Sequence, residues 1–112
     1  MVKNITTLKY RDTLEWDHKV EIDNNVKYYS KEQLVLIEIY YASGKLEYEI
    51  PYINGEIHGV EKSYYESGVL AWETPYVNGE IHGVRKRYYK SGKLEYEIPY
   101  INGWGVAKEG NM

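Results

Sequence analysis

The stretch PYINGEIHGVEKSYYESG, residues 51–68, returns as PYVNGEIHGVRKRYYKSG at residues 75–92, so the chain repeats itself after 24 residues. A fixed period of this length marks an array of one supersecondary unit, and the unit has to be read before any single element. Extended outward, YYASGKLEYEIPYINGEIHGVEKS starts at Tyr40, YYESGVLAWETPYVNGEIHGVRKR at Tyr64, and YYKSGKLEYEIPYING at Tyr88 before breaking into WGVAKEGNM. The units are therefore 40–63, 64–87 and 88–112, the last shortened where NGEIHGV becomes NGWGV and Trp104 stands in place of Glu-Ile-His. Upstream, Val26, Tyr28 and Glu32 fall in phase with Ile50, Tyr52 and Glu56, although the glycines are gone. Residues 16–39 read as a degenerate copy and 1–15 as a cap, so 1–39 forms the atypical end expected where a terminal unit has a single neighbour.

Each unit reads as strands. In KLEYEIPY from Lys45, Leu46, Tyr48, Ile50 and Tyr52 alternate with Glu47, Glu49 and Pro51, the period of two of a half-buried strand. The return segment HGVEKSYY alternates in the same way. Asn54-Gly55, Asn78-Gly79 and Asn102-Gly103, and Ser43-Gly44, Ser67-Gly68 and Ser91-Gly92, supply turns in which glycine provides positive φ. Gly or Pro interrupts every stretch long enough for a helix from Gly44 to Gly105. The expected fold is all-β, a single twisted antiparallel meander of roughly eight to ten strands built from 24-residue hairpin repeats. Pro51, Pro75 and Pro99 lie late in their strands, which predicts a bulge or a position whose missing N–H is not needed.

Composition narrows the function classes. There are 17 acidic and 14 basic residues, a formal net charge of −3 that points to neither nucleic acid nor a membrane surface as partner. Without Cys there is no disulfide, thiol nucleophile or Cys-based zinc site. The N-terminus lacks the apolar run of a signal peptide, and no segment approaches ~18 consecutive apolar residues, so a cytoplasmic protein is expected. Aromatic usage is lopsided, with 14 Tyr, 3 Trp and no Phe. Rings with a polar tip suit a surface that is packed on one side and wet on the other.

The units resemble MORN repeats (membrane occupation and recognition nexus), and in particular bacterial MORN-variant copies with the pattern Y-x-NG-x-x-HG-V-x-K-x-YY-x-SG-x-L. The matching residues are Tyr52, Asn54, Gly55, His58, Gly59, Val60, Lys62, Tyr64, Tyr65, Ser67, Gly68 and Leu70, repeated from Tyr76 to Leu94. Such variants are found in bacterial antitoxins and immunity proteins. The resemblance therefore implies a protein-binding inhibitor with a cognate protein toxin as partner. The alternative it leaves open is a structural or scaffolding module that self-associates as a homo-oligomer through a sheet edge or the aromatic face.

No catalytic constellation is expected, and no cofactor or metal. The recurrent serines belong to Ser-Gly turns, which explain them. His58 and His82 lie one repeat apart, about 10 Å with one strand between them, too far to share a zinc ion without further ligands. They are expected to pack or hydrogen-bond at the turns beside Gly59 and Gly83. The recurring Glu49, Glu73 and Glu97, with Lys62 and Lys86 at hand, read as a solvated, salt-bridged face rather than an acid–base pair. The glycines open no helix that could cradle a phosphate.

What remains is aromatic. With a Glu66-Ser67-Gly68 loop, Tyr64 falls opposite Leu70 and Lys62 opposite Trp72. That register puts the rows Tyr40/Tyr64/Tyr88, Tyr48/Trp72/Tyr96 and Tyr52/Tyr76/Tyr100 on one face, which needs a cover. Positions that differ between copies are released from the demands of the unit and are where a partner can be read. The middle copy departs at Trp72, where its neighbours have Tyr, and at Arg85 and Arg87, where the preceding copy has Glu61 and Ser63. Trp and Arg are enriched at binding hot spots. The candidate partner-binding residues are thus Trp72, Arg85 and Arg87, with Tyr48, Tyr64, Tyr88 and Tyr96 as flanking contact area.

Overall fold

Two turn chemistries fold the chain. At each Asn-Gly pair both residues take positive φ, 53° and 83° at Asn54 and Gly55, the geometry of a two-residue turn that matches strand twist. The Ser-Gly turns are wider: the Tyr65 N–H donates to the Val69 carbonyl at 2.8 Å and the Gly68 N–H to the Tyr65 carbonyl at 2.8 Å. A computed structural model describes residues 9–105. Its strands are β1 (His18–Ile22), β2 (Asn25–Ser30), β3 (Gln33–Tyr40), β4 (Leu46–Ile53), β5 (Glu56–Ile57), β6 (Gly59–Tyr64), β7 (Leu70–Val77), β8 (Glu80–Ile81), β9 (Gly83–Tyr88), β10 (Leu94–Ile101) and β11 (Trp104–Gly105). They form one antiparallel sheet in the order β1-β2-β3-β4-β6-β7-β9-β10-β11, with β5 on β4 and β8 on β7. This is the expected open meander, its strand number raised to 11 by the two-residue strands that follow each Asn-Gly turn. No helix among the described residues is long and apolar enough to cross a membrane.

Between β5 and β6, and between β8 and β9, the chain jogs at His-Gly. Gly59 and Gly83 have φ of 113° and 119°, and a Cβ on either would lie 3.1 Å from the Cγ of Pro51 or Pro75. Glycine is required there both for its backbone and for the proline's approach. The prolines fit because their carbonyls, not N–H groups, are used: Pro51 accepts from the His58 N–H at 3.1 Å and Pro75 from the His82 N–H at 3.0 Å.

A β-bulge after each Ser-Gly turn corrects the expected register. Tyr64 does face Leu70, but Ser63 faces Trp72 and Lys62 faces Glu73, leaving Ala71 as the extra residue. The same irregularity recurs between Tyr88/Leu94 and Arg87/Tyr96, and between Tyr40/Leu46 and Ile39/Tyr48. A shift of one residue moves a side chain to the opposite face. The aromatic rows therefore do not share a face. Tyr40, Tyr64 and Tyr88 lie on one side with Glu38, Glu49 and Glu73, and Tyr48, Trp72, Tyr96 and Tyr52, Tyr76, Tyr100 on the other.

The carboxylate face is not the solvated face expected. The register does set Lys62 opposite both Glu49 and Glu73, and Lys86 opposite Glu73 and Glu97. Yet Glu38 and Glu49 are 0% and 4% exposed. Tyrosine hydroxyls are what reach them: Tyr64 donates to Glu49 at 2.7 Å, Tyr88 to Glu73 at 2.7 Å, and Tyr28 and Tyr40 each to Glu38 at 2.7 Å. Glu38 occupies the phase of Lys62 and Lys86, so it faces Glu49, like charge to like. Arg11, in a short 3-10 turn at Tyr10–Asp12, supplies the missing cation and donates to both Glu38 oxygens at 3.1 and 3.3 Å. Trp16 locks this segment down by packing edge-on to Tyr28 at 4.8 Å and donating to the Arg11 carbonyl at 3.1 Å. The N-terminal segment thus covers the carboxylate face over β2 to β4.

Further bonds tie unit to unit. The Tyr65 hydroxyl donates to the Tyr88 carbonyl at 2.6 Å, as Tyr41 does to Tyr64. His58 and His82 act at the turns as expected: Nδ1 of each accepts the backbone N–H of the next unit's asparagine, Asn78 or Asn102, at 3.2 Å. That bond fixes the neutral ring's proton on Nε2.

These contacts give the fold an alkaline limit. Donation to Glu73, with burial, pushes the Tyr88 hydroxyl up to about 12, and burial followed by donation to Glu38 does the same for Tyr40. Burial, then the bond to their glutamates, also raises Tyr28 and Tyr64. A raised folded-state pKa stabilises the fold below the ordinary tyrosine value of about 10, and that contribution is lost as pH rises toward about 12. Tyrosinate absorbance followed with circular dichroism should show one group of tyrosines ionising with the fold intact and the donors ionising only as it melts. Full ionisation near pH 10 with an intact sheet would contradict this.

Candidate partner-binding face

The face opposite the carboxylates is organised around Trp72. Its position on β7 is directly opposite Arg87 on β9 and Ser63 on β6. Arg85 has the parity of Arg87 and so projects from the same side. The Arg85 guanidinium lies 4.0 Å from the indole centroid and that of Arg87 4.7 Å, so one ring carries two cations. Each such contact contributes about 0.5–2 kcal/mol, depending on how far water is excluded. Tyr96, opposite Arg87 on β10, meets Trp72 edge-on at 6.1 Å and 81°. Tyr48 on β4 lies opposite Ser63 and completes the row.

Beside Trp72 is an open depression of about 330 Å³ bounded by Tyr48, Glu61, Trp72, Tyr76 and Arg85, with Ser63 and Thr74 in its lining. Ser63 and Thr74 are buried, so small side chains in two adjacent strands make the hollow. The two arginines are not equivalent. Arg87 Nε sits 3.6 Å from Glu95 Oε1, whereas the buried Arg85 Nε has no hydrogen-bond partner. A guanidinium is a planar fork of donors that suits a planar acceptor, and contact with an indole face restricts its freedom. Burial holds the Glu61 carboxyl above the ordinary glutamate range, while the Tyr76 hydroxyl and the Arg85 charge pull it back. Tyr76 is raised in turn, by its burial first and then by Glu61.

Five of the seven candidate residues therefore come together: Trp72, Arg85, Arg87, Tyr48 and Tyr96. Tyr64 and Tyr88 do not, because the bulge places them on the carboxylate face with their hydroxyls on Glu49 and Glu73. Sequence reasoning passed over Glu61, Tyr76 and the small pair Ser63 and Thr74. A signal for Glu61 was present: it holds in one copy the position that Arg85 holds in the next. Equivalent positions in successive hairpins lie two strands, about 10 Å, apart on one face. Among the described residues no group of three or more His, Asp or Glu is placed to hold a metal ion.

An open repeat sheet with a side-chain-rich face and shallow hollows defines a protein-interaction or scaffold module. The MORN repeat variant family matches residues 33–54, 57–78 and 81–102, more than half of the chain, and the protein belongs to that family. No curated protein matches the chain.

Glu61 supplies a test of this geometry. A carboxyl with a raised folded-state pKa destabilises the fold above its ordinary range and has no such effect once protonated. Glu61→Gln should therefore melt higher than the parent at pH 7 and lose that advantage as pH falls toward 3. An equal or lower melting temperature at pH 7 would show that the Arg85 charge outweighs the burial.

Proposed function

We propose that this protein is an immunity protein or antitoxin, which binds a cognate bacterial toxin in the cytoplasm and neutralises it by direct contact without chemistry of its own. The observation that carries the binding surface is the pair of guanidinium groups, Arg85 and Arg87, gathered on the Trp72 ring beside an open hollow. It occurs in the middle unit alone, since the unit before has Tyr48, Glu61 and Ser63 at these positions. The fold does not require it. A residue the unit does not need, placed at the rim of an open hollow, is suited to recognition. The toxin as partner rests on the resemblance of these repeats to bacterial antitoxin copies.

The test uses the product of the adjacent open reading frame. A triple variant, Trp72→Tyr, Arg85→Gln and Arg87→Ser, takes Tyr and Ser from the preceding unit; Gln is chosen at Arg85 because Glu would add a second carboxylate to the hollow that Glu61 lines. Affinity by calorimetry should fall by about tenfold or more, the cost of losing a Trp and Arg hot spot, in a variant that still melts cooperatively, at a temperature lowered by the loss of the two cation–ring contacts. Co-expression should then no longer protect cells from the neighbour. Unchanged affinity in the folded variant would move the site off this face. A neighbour that harms no cells and is not bound would overturn the toxin reading, and concentration-dependent self-association would favour the scaffold.

A further inference from the structure

The hollow beside Trp72 has two charged walls of opposite sign. Of the seven described residues that line it, Glu61 and Arg85 alone carry charge. Glu61 on β6 faces Thr74 on β7, and the register that pairs Trp72 with Arg87 and Glu73 with Lys86 carries on to set Thr74 beside Arg85 on β9. Glu61 and Arg85 therefore project from strands about 10 Å apart, with the buried Thr74 as a floor between them. Among the described residues no ion pair within 4.0 Å joins the two, and the Arg85 guanidinium lies instead on the Trp72 ring, 4.0 Å from its centroid. A carboxylate and a guanidinium thus border one space without closing on each other.

We propose that this hollow receives the side-chain carboxamide of a glutamine or asparagine on the partner protein, its carbonyl oxygen toward Arg85 and its NH2 group toward Glu61. A carboxylate side chain only accepts hydrogen bonds, and an ammonium or guanidinium only donates them. Each would satisfy one wall and be repelled by the other, which is how a site rejects the wrong partner. A hydroxyl holds donor and acceptor on one atom and cannot serve two walls. The carboxamide is neutral and planar, with its donor and its acceptor at opposite ends. Both of its bonds are to charged groups, the stronger class of hydrogen bond.

The pair of walls exists because successive copies differ at one phase of the repeat, which holds Ile37, then Glu61, then Arg85. One unit earlier the equivalent place lies between Ile37 and Glu61, with Ile50 facing Ile37, and only Glu61 is charged there. The middle of the array alone sets a carboxylate and a guanidinium across a small residue. This inference rests on the reading of the Trp72 face as the partner-binding surface, and adds to it what the partner presents.

The probes are capped tripeptides, acetyl-Ala-X-Ala-N-methylamide with glutamine, glutamate or lysine at X, titrated into the full chain and followed at the Trp72 indole N–H by nuclear magnetic resonance. The glutamine peptide should bind in the millimolar range and each charged peptide about tenfold more weakly. Glu61→Gln should turn the preference to the glutamate peptide and Arg85→Gln to the lysine peptide, with thermal melts confirming that both variants fold. Absence of glutamine binding, or a preference that neither variant changes, would overturn the proposal. So would binding that appears only in Asn4→Ala or Asn111→Ala, which would assign the hollow to an amide of this chain outside the described residues. The probes need no partner, so a failure here leaves the toxin test standing, and a bound glutamine peptide beside an unbound neighbour would remove the toxin reading alone.

Discussion

The structure depends on a hydroxyl reaching a buried carboxylate. A one-layer sheet has little interior, and among the described residues the buried apolar ones are only Tyr28, Leu36 and Ala71. The positions that a thicker domain would fill with aliphatic side chains hold Glu38 and Glu49, closed to solvent. A buried carboxylate is costly unless donors surround it. For Glu38 the donors are Tyr28, Tyr40 and Arg11; within the repeats they come from the following hairpin, Tyr64 for Glu49 and Tyr88 for Glu73. Each of these units is therefore completed by the next, and tyrosine serves there because it combines a packing ring with a donor tip.

The bulge after each Ser-Gly turn makes this arrangement possible and divides the labour between faces. By inserting Ala71, and Glu95 and Glu47 at the equivalent places, it sends the tyrosine before the turn to the carboxylate side and the aromatic residue after it to the other. One face becomes structural, closed over its first strands by Arg11 and Trp16. The other is left to the residues that vary between copies. Trp72, Arg85 and Arg87 can change there without touching the hydroxyl–carboxylate bonds. On the reading proposed above, recognition is added in this way without giving up what holds the repeat together.

What the sequence disclosed follows the range of the interactions involved. The 24-residue period, the strands and the turns were legible because alternation and Asn-Gly chemistry act within a few residues. The grouping of Trp72 with Arg85 and Arg87 was legible because same-parity residues of adjacent strands share a face. The bulge was not, since Ala71, Glu47 and Glu95 carry no mark of irregularity and register is decided across strands. The burial of Glu49 was hidden for the same reason: its donor lies 15 residues away on another strand. Glu38 could have been suspected from its place in the lysine phase, but Arg11 belongs to a segment outside the repeat, where periodicity offers no guide.

The most direct test of this view is a double-mutant cycle on one inter-unit bond, Tyr64→Phe and Glu49→Leu, read by chemical denaturation. In the parent, Tyr64→Phe removes a donor from a buried carboxylate and should cost about 1–3 kcal/mol, whereas in the Glu49→Leu background there is no carboxylate to leave unsatisfied and the same change should cost far less. The expected coupling is about 1 kcal/mol or more. Equal costs in both backgrounds would contradict it, and would mean that the units are held by ring packing and backbone pairing alone.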